Sequence, residues 1–287
     1  MKLNQQGTVF SYGMINKDDY PGGVDDAAFG KRILCEGDSW FSLGGFPSGN
    51  ILQPLRFAQK TLLYNLATPG NTIRNMSSVV SNPRFAELIQ DKKFASKWDC
   101  IFISGGGNDF IDRIQQILCR PSDGAGKHML DYINRIELVQ LKFQIQAGYK
   151  AIAEMRDGAD KRNKDAWIVT HVYDYPTPRF AKSKALGVGI SGPWLYPAFV
   201  SNLIPESFWI SLTDYLFEWL AILLVELTSQ IDQFHVITNT RETLIKAKLG
   251  ETGEDGDWLN EIHPTAKGYE KLGHIVSYEL DAILNSR

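Results

Sequence analysis

Ile33-Leu34-Cys35-Glu36-Gly37-Asp38-Ser39-Trp40-Phe41 is a short apolar run that stops abruptly at Gly-Asp-Ser. An apolar run of this length, bounded by a glycine turn, predicts a buried β-strand over residues 32–36. Ser39 follows directly after the predicted strand end. The first question that the sequence raises is whether Ser39 is a nucleophile or only a polar residue that closes a strand.

Two later runs are predicted to end in the same way. Residues 62–66 lead into Ala67-Thr68-Pro69-Gly70-Asn71, and residues 98–103 lead into Ser104-Gly105-Gly106-Gly107-Asn108-Asp109. Apolar residues recur at helical spacing over residues 129–156, and a further strand is predicted at residues 166–172. This alternation predicts one α/β domain on a doubly wound parallel sheet, with these turns gathered at its carboxyl edge.

Composition and charge limit the partners that the chain can have. The 287 residues are 44% hydrophobic and carry a formal net charge of -3, with lysines and arginines scattered along the chain. Because a nucleic-acid partner needs a basic field, we expect none. The three cysteines match no metal motif and are expected to be core residues.

The sequence also bears on membranes and localisation. Residues 210–227 are the most apolar segment but contain Asp214, Glu218 and Glu226, so we expect a core helix and no membrane span. Residues 1–20 lack the apolar core of a secretory signal, and we therefore expect a cytoplasmic protein.

Two segments lie outside the strand and helix pattern. Residues 1–30 show no sustained period and are predicted to be an irregular N-terminal extension, which leaves residues 31–287 as the domain. Residues 180–206 are rich in proline and glycine and too long for an ordinary connector. We predict that they form a lid-like insertion near the active-site edge of the sheet.

Four blocks of the sequence carry a family resemblance. In order they are Gly37-Asp38-Ser39, Gly70, the run Gly105-Gly106-Gly107-Asn108-Asp109, and His263-Pro264. They resemble the four blocks of the SGNH (GDSL-type) serine hydrolases. The resemblance spans residues 32–287, apart from residues 180–206. It implies a three-layer, flavodoxin-like doubly wound sheet and a serine-dependent ester hydrolase that acts on a small-molecule ester without a cofactor or metal.

The resemblance implies a role for each block. Ser39 would be the nucleophile and His263 the base, because a serine hydroxyl attacks poorly unless an imidazole takes its proton. The backbone N–H groups of Ser39 and Gly70 and the side-chain amide of Asn108 would stabilise the oxyanion. Each residue also has a purely structural interpretation, as a helix cap for Ser39 and as turn residues for Gly70 and Asn108.

One position departs from the family pattern. The family usually has an aspartate three residues before the histidine, and this chain has Asn260 there. An amide oxygen can orient an imidazole but supplies no negative charge. Two alternatives follow: Asn260 itself orients His263, or a substitute carboxylate does so from Glu261, Asp257 or Asp255. A Ser–His dyad and slow turnover are also compatible with the sequence.

His171 and Trp40 are candidate substrate contacts. His171 ends a predicted strand at the edge where ligands bind, and Trp40 follows Ser39 directly. Both residue types are also common in cores.

Two other classes of protein compete with the esterase. A binuclear metallophosphoesterase would need an Asp-x-His near the first strand and a Gly-His-x-His near the end, and neither motif is present. A catalytically weak or inactive binding protein on the SGNH fold is the main alternative. Within the esterase class, lipid esters, acetylated sugars and small thioesters all stay open, as does the oligomeric state.

Overall fold

The computed structural model describes residues 2–11, 28–42, 49–90, 97–122, 126–158, 162–185 and 188–286. Its strands are β1 (Gln5–Gln6), β2 (Thr8–Ser11), β3 (Lys31–Gly37), β4 (Arg56–Phe57), β5 (Thr61–Asn65), β6 (Cys100–Ser104), β7 (Trp167–His171), β8 (Ser183–Ala185), β9 (Val188–Ser191) and β10 (Phe234–Ile237). Its helices are α1 (Ser39–Ser42), α2 (Ile73–Met76), α3 (Pro83–Gln90), α4 (Gly107–Ile117), α5 (Arg135–Asp157), α6 (Tyr196–Ser201), α7 (Trp209–Glu226) and α8 (Ala266–Asn285).

Six strands form one parallel sheet in the order β10-β7-β6-β3-β5-β2. Without β2, this is the 2-1-3-4-5 order of flavodoxin-like sheets, so the predicted fold is confirmed. The strand order reverses at β3, and ligands bind at such a switch point. The end of β3 therefore lies where the fold offers a site.

The central strands are apolar on both faces because helices cover both sides of the sheet. β5 and β6 are buried along their whole length. Helix α5 packs against α2, α3, α4 and α7, while α8 contacts β4 and β7. A rigid, fully covered sheet holds the turns at its carboxyl edge in place.

The structure differs from the sequence prediction within residues 1–30. β2 pairs in parallel with β5 and extends the sheet, and β1 pairs antiparallel with β4. Strands of two and four residues are too short to show a period, and their partners lie far along the chain, so no local pattern reveals them. Residues 12–27 lie outside the described residues. The division at residue 31 stays a prediction.

The predicted insertion contains a β8–β9 hairpin followed by helix α6. Residues 186–187 lie outside the described residues. Beyond the hairpin, Trp194 packs edge-on against His263, with ring centroids 5.2 Å apart. The second half of the insertion therefore reaches the site, and its action as a lid stays a prediction.

Among the described residues, one helical segment, Glu206–Ser229, is long and apolar enough to cross a membrane, with a mean hydropathy of 1.6. Its helix α7 buries a stripe of leucines against the rest of the protein. Asp214, Glu218 and Glu226 on α7 form ion pairs with lysine and arginine side chains from other segments. Length and composition alone are weak evidence for a membrane span, and these contacts are those of a helix packed on a globular core.

Candidate active site

Ser39 lies at the first position of α1, directly after β3. A β-carbon on Gly37 would lie 2.8 Å from the Ser104 β-carbon and 3.0 Å from the Ser104 carbonyl oxygen, so the tight turn requires glycine. The backbone N–H of Asp38 donates to that same carbonyl at 3.1 Å. The close approach of β3 and β6 thus fixes the turn that presents Ser39.

The carboxylate of Asp38 holds this turn from inside. It accepts hydrogen bonds from the Trp40 backbone N–H (2.9 Å), the Ser104 hydroxyl (2.9 Å) and the Tyr173 hydroxyl (2.6 Å). Burial raises the pKa of Asp38 to about 6, although these donors favour the ionised form. Asp38 therefore connects the ends of β3, β6 and β7 around Ser39.

His263 reaches Ser39 from the opposite end of the chain. Its Nε2 lies 2.8 Å from the Ser39 hydroxyl oxygen. The histidine lies in a tight loop closed by a Leu259 N–H to His263 carbonyl hydrogen bond of 2.9 Å, and Thr265 caps the N-terminus of α8 directly after it. The loop and the helix cap fix the backbone on both sides of the imidazole.

Asn260 orients this imidazole. Its Oδ1 accepts from the His263 ring Nδ1 at 3.0 Å and from the backbone N–H groups of Ile262 (3.1 Å) and His263 (2.9 Å). Because two backbone donors face it, the atom must be the amide oxygen, which only accepts. Nδ1 therefore carries the proton, and Nε2 is free to accept the proton of Ser39.

The three carboxylates proposed as substitutes bind elsewhere. Glu261 accepts backbone N–H groups of the insertion, including those of Leu195 (2.8 Å) and Tyr196 (2.7 Å). Asp257 accepts from the Ile245 N–H and the Lys271 ammonium, and Asp255 accepts from the Lys248 N–H. Of the alternatives for orienting His263, the structure thus brings Asn260, and not these carboxylates, to the ring.

Burial of Ser39 and His263 determines the pKa of the histidine. His263 is 5% exposed and Ser39 is 8% exposed. Burial lowers the pKa of His263 to about 4, because the charged imidazolium loses its water without gaining a carboxylate partner. The imidazole is therefore neutral at neutral pH and is a weaker base than an ordinary histidine.

Ser39 and Asn108, two of the three residues predicted to supply oxyanion donors, line the cavity at Ser39. The Ser39 N–H is the first of α1, and no acceptor for it is found in the described part of the chain. The Asn108 side-chain amide donates to the Asn71 carbonyl at 3.0 Å. Gly70 has φ +77° and lines a separate cavity beside Glu36, and it is not among the residues that line the cavity at Ser39.

The Gly105–Asp109 turn is built around close contacts. Gly106 precedes α4 with φ +104°, a conformation that glycine adopts without strain. A β-carbon on Gly107 would lie 2.8 Å from the Tyr173 ring. Asp109 accepts from the Ile73 N–H at 2.8 Å and braces the turn against α2. These features place Asn108 at the cavity.

The two candidate substrate contacts differ in outcome. His171 is fully buried, with Nε2 3.1 Å from the Ser104 hydroxyl and its ring stacked on Trp40 at 5.6 Å. Burial lowers the pKa of His171 to about 4. It is a core residue, so its prediction as a substrate contact is wrong. Trp40 does line the cavity, and its Nε1 donates to the Ile262 carbonyl at 3.2 Å.

Two residues of the site, Arg179 and Tyr173, were not predicted from the sequence. Arg179 is 1% exposed, and its guanidinium donates to main-chain carbonyls that include Asn260 at 2.7 Å and Trp258 at 3.4 Å. These hydrogen bonds hold the loop that contains His263. Arg179 belongs to no recognisable motif, because an arginine after Pro178 has no distinctive sequence pattern. Tyr173, which donates to Asp38, directly follows the strand predicted at residues 166–172 and could have been found as an edge residue.

The described residues contain no cluster of three His, Cys, Asp or Glu side chains that could hold a metal ion. The site is thus built from a serine, an imidazole, an amide and main-chain donors.

A doubly wound sheet with these groups at its switch point is the arrangement that the sequence resemblance implies. Residues 33–153 match the family model of GDSL-like lipases and acylhydrolases, in agreement with the predicted family. The matched range contains Ser39, Gly70 and Asn108, and His263 lies beyond it. No curated protein matches the chain in sequence.

Solved structures with similar folds include several esterases. The aryl esterase of M. smegmatis is 15% identical, with 88% of this chain and 99% of that chain covered and a TM-score of 0.46. Est24, a carbohydrate acetylesterase from Sinorhizobium meliloti, is 13% identical with the same coverage and a TM-score of 0.45. An extracellular lipase from Streptomyces rimosus is 13% identical, again with 88% and 99% covered, and has a TM-score of 0.44. Similarity at this level carries no argument about substrate.

Proposed function

We propose that this protein hydrolyses a small-molecule ester through an acyl-enzyme on Ser39, with His263 as the base. The observation that supports this most strongly is the 2.8 Å contact between the Ser39 hydroxyl and His263 Nε2, with Nδ1 held by Asn260. Nucleophile, base and orienting group stand in the order that acyl transfer requires.

The first half-reaction forms the acyl-enzyme. His263 Nε2 takes the hydroxyl proton while the Ser39 oxygen bonds to the ester carbonyl carbon. The bond from that carbon to the alcohol oxygen then breaks, and His263 returns the proton to the leaving alcohol. In the second half-reaction His263 takes a proton from water, which attacks the acyl carbon and releases the acid. Ser39 regains its proton from His263.

The oxyanion needs donors placed before the reaction. We assign this role to the Ser39 N–H and the Asn108 amide, because both residues line the cavity at the nucleophile. For Asn108 the substrate oxygen would replace the Asn71 carbonyl as acceptor. Gly70 stays a predicted third donor.

Asn260 sets the rate of this chemistry. It provides the correct tautomer, so it avoids the tautomer fault that accounts for most of the loss when a triad aspartate becomes asparagine. It leaves the imidazolium that forms in each transition state without a negative partner. We therefore infer turnover below that of a triad with a carboxylate.

The experiment compares wild type with Ser39→Ala on short aryl esters. Ser42→Ala is the matched control, because Ser42 lies on the same helix and donates to the Asp38 carbonyl, away from His263. We expect Ser39→Ala to abolish hydrolysis and Ser42→Ala to retain it, with unchanged circular dichroism in both. Equal activity in wild type and Ser39→Ala would rule out this mechanism.

The second candidate function is a binding protein with a weak or inactive site. It is favoured by the low pKa of His263, and by the fact that no carboxylate bonds to this histidine in the part of the chain that the structure describes. A folded wild-type protein that hydrolyses no ester of the panel would support it.

A further inference from the structure

Glu36 is a fully buried carboxylate on β3, close to Ser39 in sequence. Its Oε1 accepts the Gly37 backbone N–H at 3.0 Å and the Asn71 side-chain amide at 3.2 Å, and its Oε2 accepts the Asn82 side-chain amide at 2.9 Å. These three donors are all neutral. Because burying an ion without an opposite charge costs free energy, a carboxylate at this position needs an explanation.

The arrangement of the donors favours a carboxylate over an amide. Both oxygens of Glu36 accept, whereas a glutamine at this position would turn an N–H group toward one of the donors. Burial raises the pKa of Glu36 to about 7, although the three hydrogen bonds favour the ionised form. Glu36 therefore acts as an acceptor that joins the turn before Ser39 to two asparagine side chains.

Asn71 belongs to the loop between β5 and α2, and this loop is hydrogen-bonded to the end of β3. The Thr68 N–H donates to the Gly37 carbonyl at 2.9 Å, and the Asn71 side chain donates to Glu36. A β-carbon on Gly70 would meet no atom within 4 Å outside the adjacent residues. Since the loop is loosely packed at Gly70, its position depends on these hydrogen bonds to β3.

The same loop holds Asn108. The Asn71 carbonyl accepts the Asn108 side-chain amide at 3.0 Å, and the Ile73 N–H donates to the neighbouring Asp109 carboxylate at 2.8 Å. The Asn71 carbonyl thus sets the direction of the Asn108 amide until the substrate oxygen replaces it. A donor that is aimed before the reaction stabilises the oxyanion without reorganisation.

We propose that Glu36 is a positioning residue for the oxyanion donor Asn108 and acts through Asn71. Glu36 is not among the described residues that line the cavity at Ser39, so it affects the reaction through the direction of the Asn108 amide. The proposal rests on the proposed serine mechanism and on the role assigned to Asn108.

The test measures kcat and KM for an aryl acetate with wild type, Glu36→Gln, Asn108→Ala and the double variant. At about pH 8 most of Glu36 is ionised. Glu36→Gln should lower kcat about tenfold and change KM less than about twofold, because the oxyanion forms only in the transition state. In Asn108→Ala the same substitution should change kcat less than about twofold, because the group through which Glu36 acts is absent.

Asp281→Asn is the matched control. Asp281 is also a buried carboxylate, and it accepts the Ala58 backbone N–H at 2.9 Å near the C-terminal end of α8. Its substitution should leave kcat unchanged. Asn71→Ala provides a second variant at a half-buried position, should Glu36→Gln fail to fold. It removes the donor to Glu36 and should lower kcat in the same way and with the same dependence on Asn108.

Wild-type kcat in folded Glu36→Gln and Asn71→Ala, with Asn108→Ala slow, would overturn this proposal and leave the serine mechanism intact. Equal losses from Glu36→Gln with and without Asn108 would also overturn it, because Glu36 would then act by another route. Wild-type kcat in Asn108→Ala would remove the group that Glu36 is proposed to position. Hydrolysis that does not depend on Ser39 would overturn the mechanism and this proposal together.

Discussion

Replacing Asn260 with aspartate tests how the missing charge affects the base. In the structure the Asn260 oxygen lies 3.0 Å from His263 Nδ1 and also accepts two backbone N–H groups. A carboxylate can keep all three hydrogen bonds and add a negative charge about 4 Å from the imidazolium. At that distance the attraction is about 4 kcal/mol for an effective dielectric constant of about 20.

Burial of the new carboxylate offsets part of this attraction. A net gain of about 1.5–3 kcal/mol corresponds to a rise of about one to two units in the pKa of His263, since one unit is about 1.4 kcal/mol. Because the same charge stabilises the imidazolium of the transition state, kcat/KM at neutral pH should rise about 10- to 100-fold.

The assay is the pH profile of kcat/KM for an aryl acetate. The base must be neutral, so activity is lost as the pH falls through the pKa of His263. The wild-type acid limb should inflect near pH 4, and that of Asn260→Asp should move upward toward pH 6. Asn260→Ala is the control that removes the acceptor and should be slower than wild type. A folded Asn260→Asp variant with an unchanged acid limb and no gain in rate would refute the reasoning.

Three further predictions concern the groups around the pair. Asn108→Ala removes an oxyanion donor and should lower kcat about 10²- to 10³-fold in steady-state assays. Glu261 accepts four backbone N–H groups, and Glu261→Gln has one acceptor oxygen fewer, so the free energy of unfolding in urea should fall by about 2 kcal/mol. Gly107→Ala places a β-carbon 2.8 Å from the Tyr173 ring, so it should lower the melting temperature and kcat/KM together.

Each of these three predictions would be contradicted by a specific outcome. Wild-type kcat in Asn108→Ala would remove Asn108 from the oxyanion hole. An unchanged free energy of unfolding in Glu261→Gln would show that its contacts to the insertion contribute little. Wild-type stability and activity in Gly107→Ala would mean that Tyr173 can shift without disturbing Asp38.

Local patterns in the sequence were sufficient for the fold and for part of the site. The buried runs of β3, β5 and β6 and the glycine turns after them are short-range signals, and parallel strands bring their carboxyl ends together. This places Ser39 and Asn108 at one edge. Strand β2 was missed because four residues show no sustained period and its partner β5 lies about fifty residues away.

The roles of individual site residues depend on the direction of each side chain and on contacts between residues that are distant in sequence. Asn260 and Glu261 are adjacent in sequence, yet one binds His263 and the other binds the insertion, and spacing alone cannot separate them. His171 ends a strand at the correct edge but is buried in a ring of aromatic side chains. The cavity at Ser39 is lined by residues from several separate segments of the chain, so its size cannot be predicted from a local sequence pattern.

The central claim is that Ser39 is the nucleophile that His263 activates. Its most direct test is covalent labelling of the folded protein with a fluorophosphonate, followed by intact mass measurement and peptide mapping. We expect one adduct on Ser39, slower labelling in His263→Ala and none in Ser39→Ala. An adduct on another residue, or equal labelling of wild type and Ser39→Ala, would contradict it.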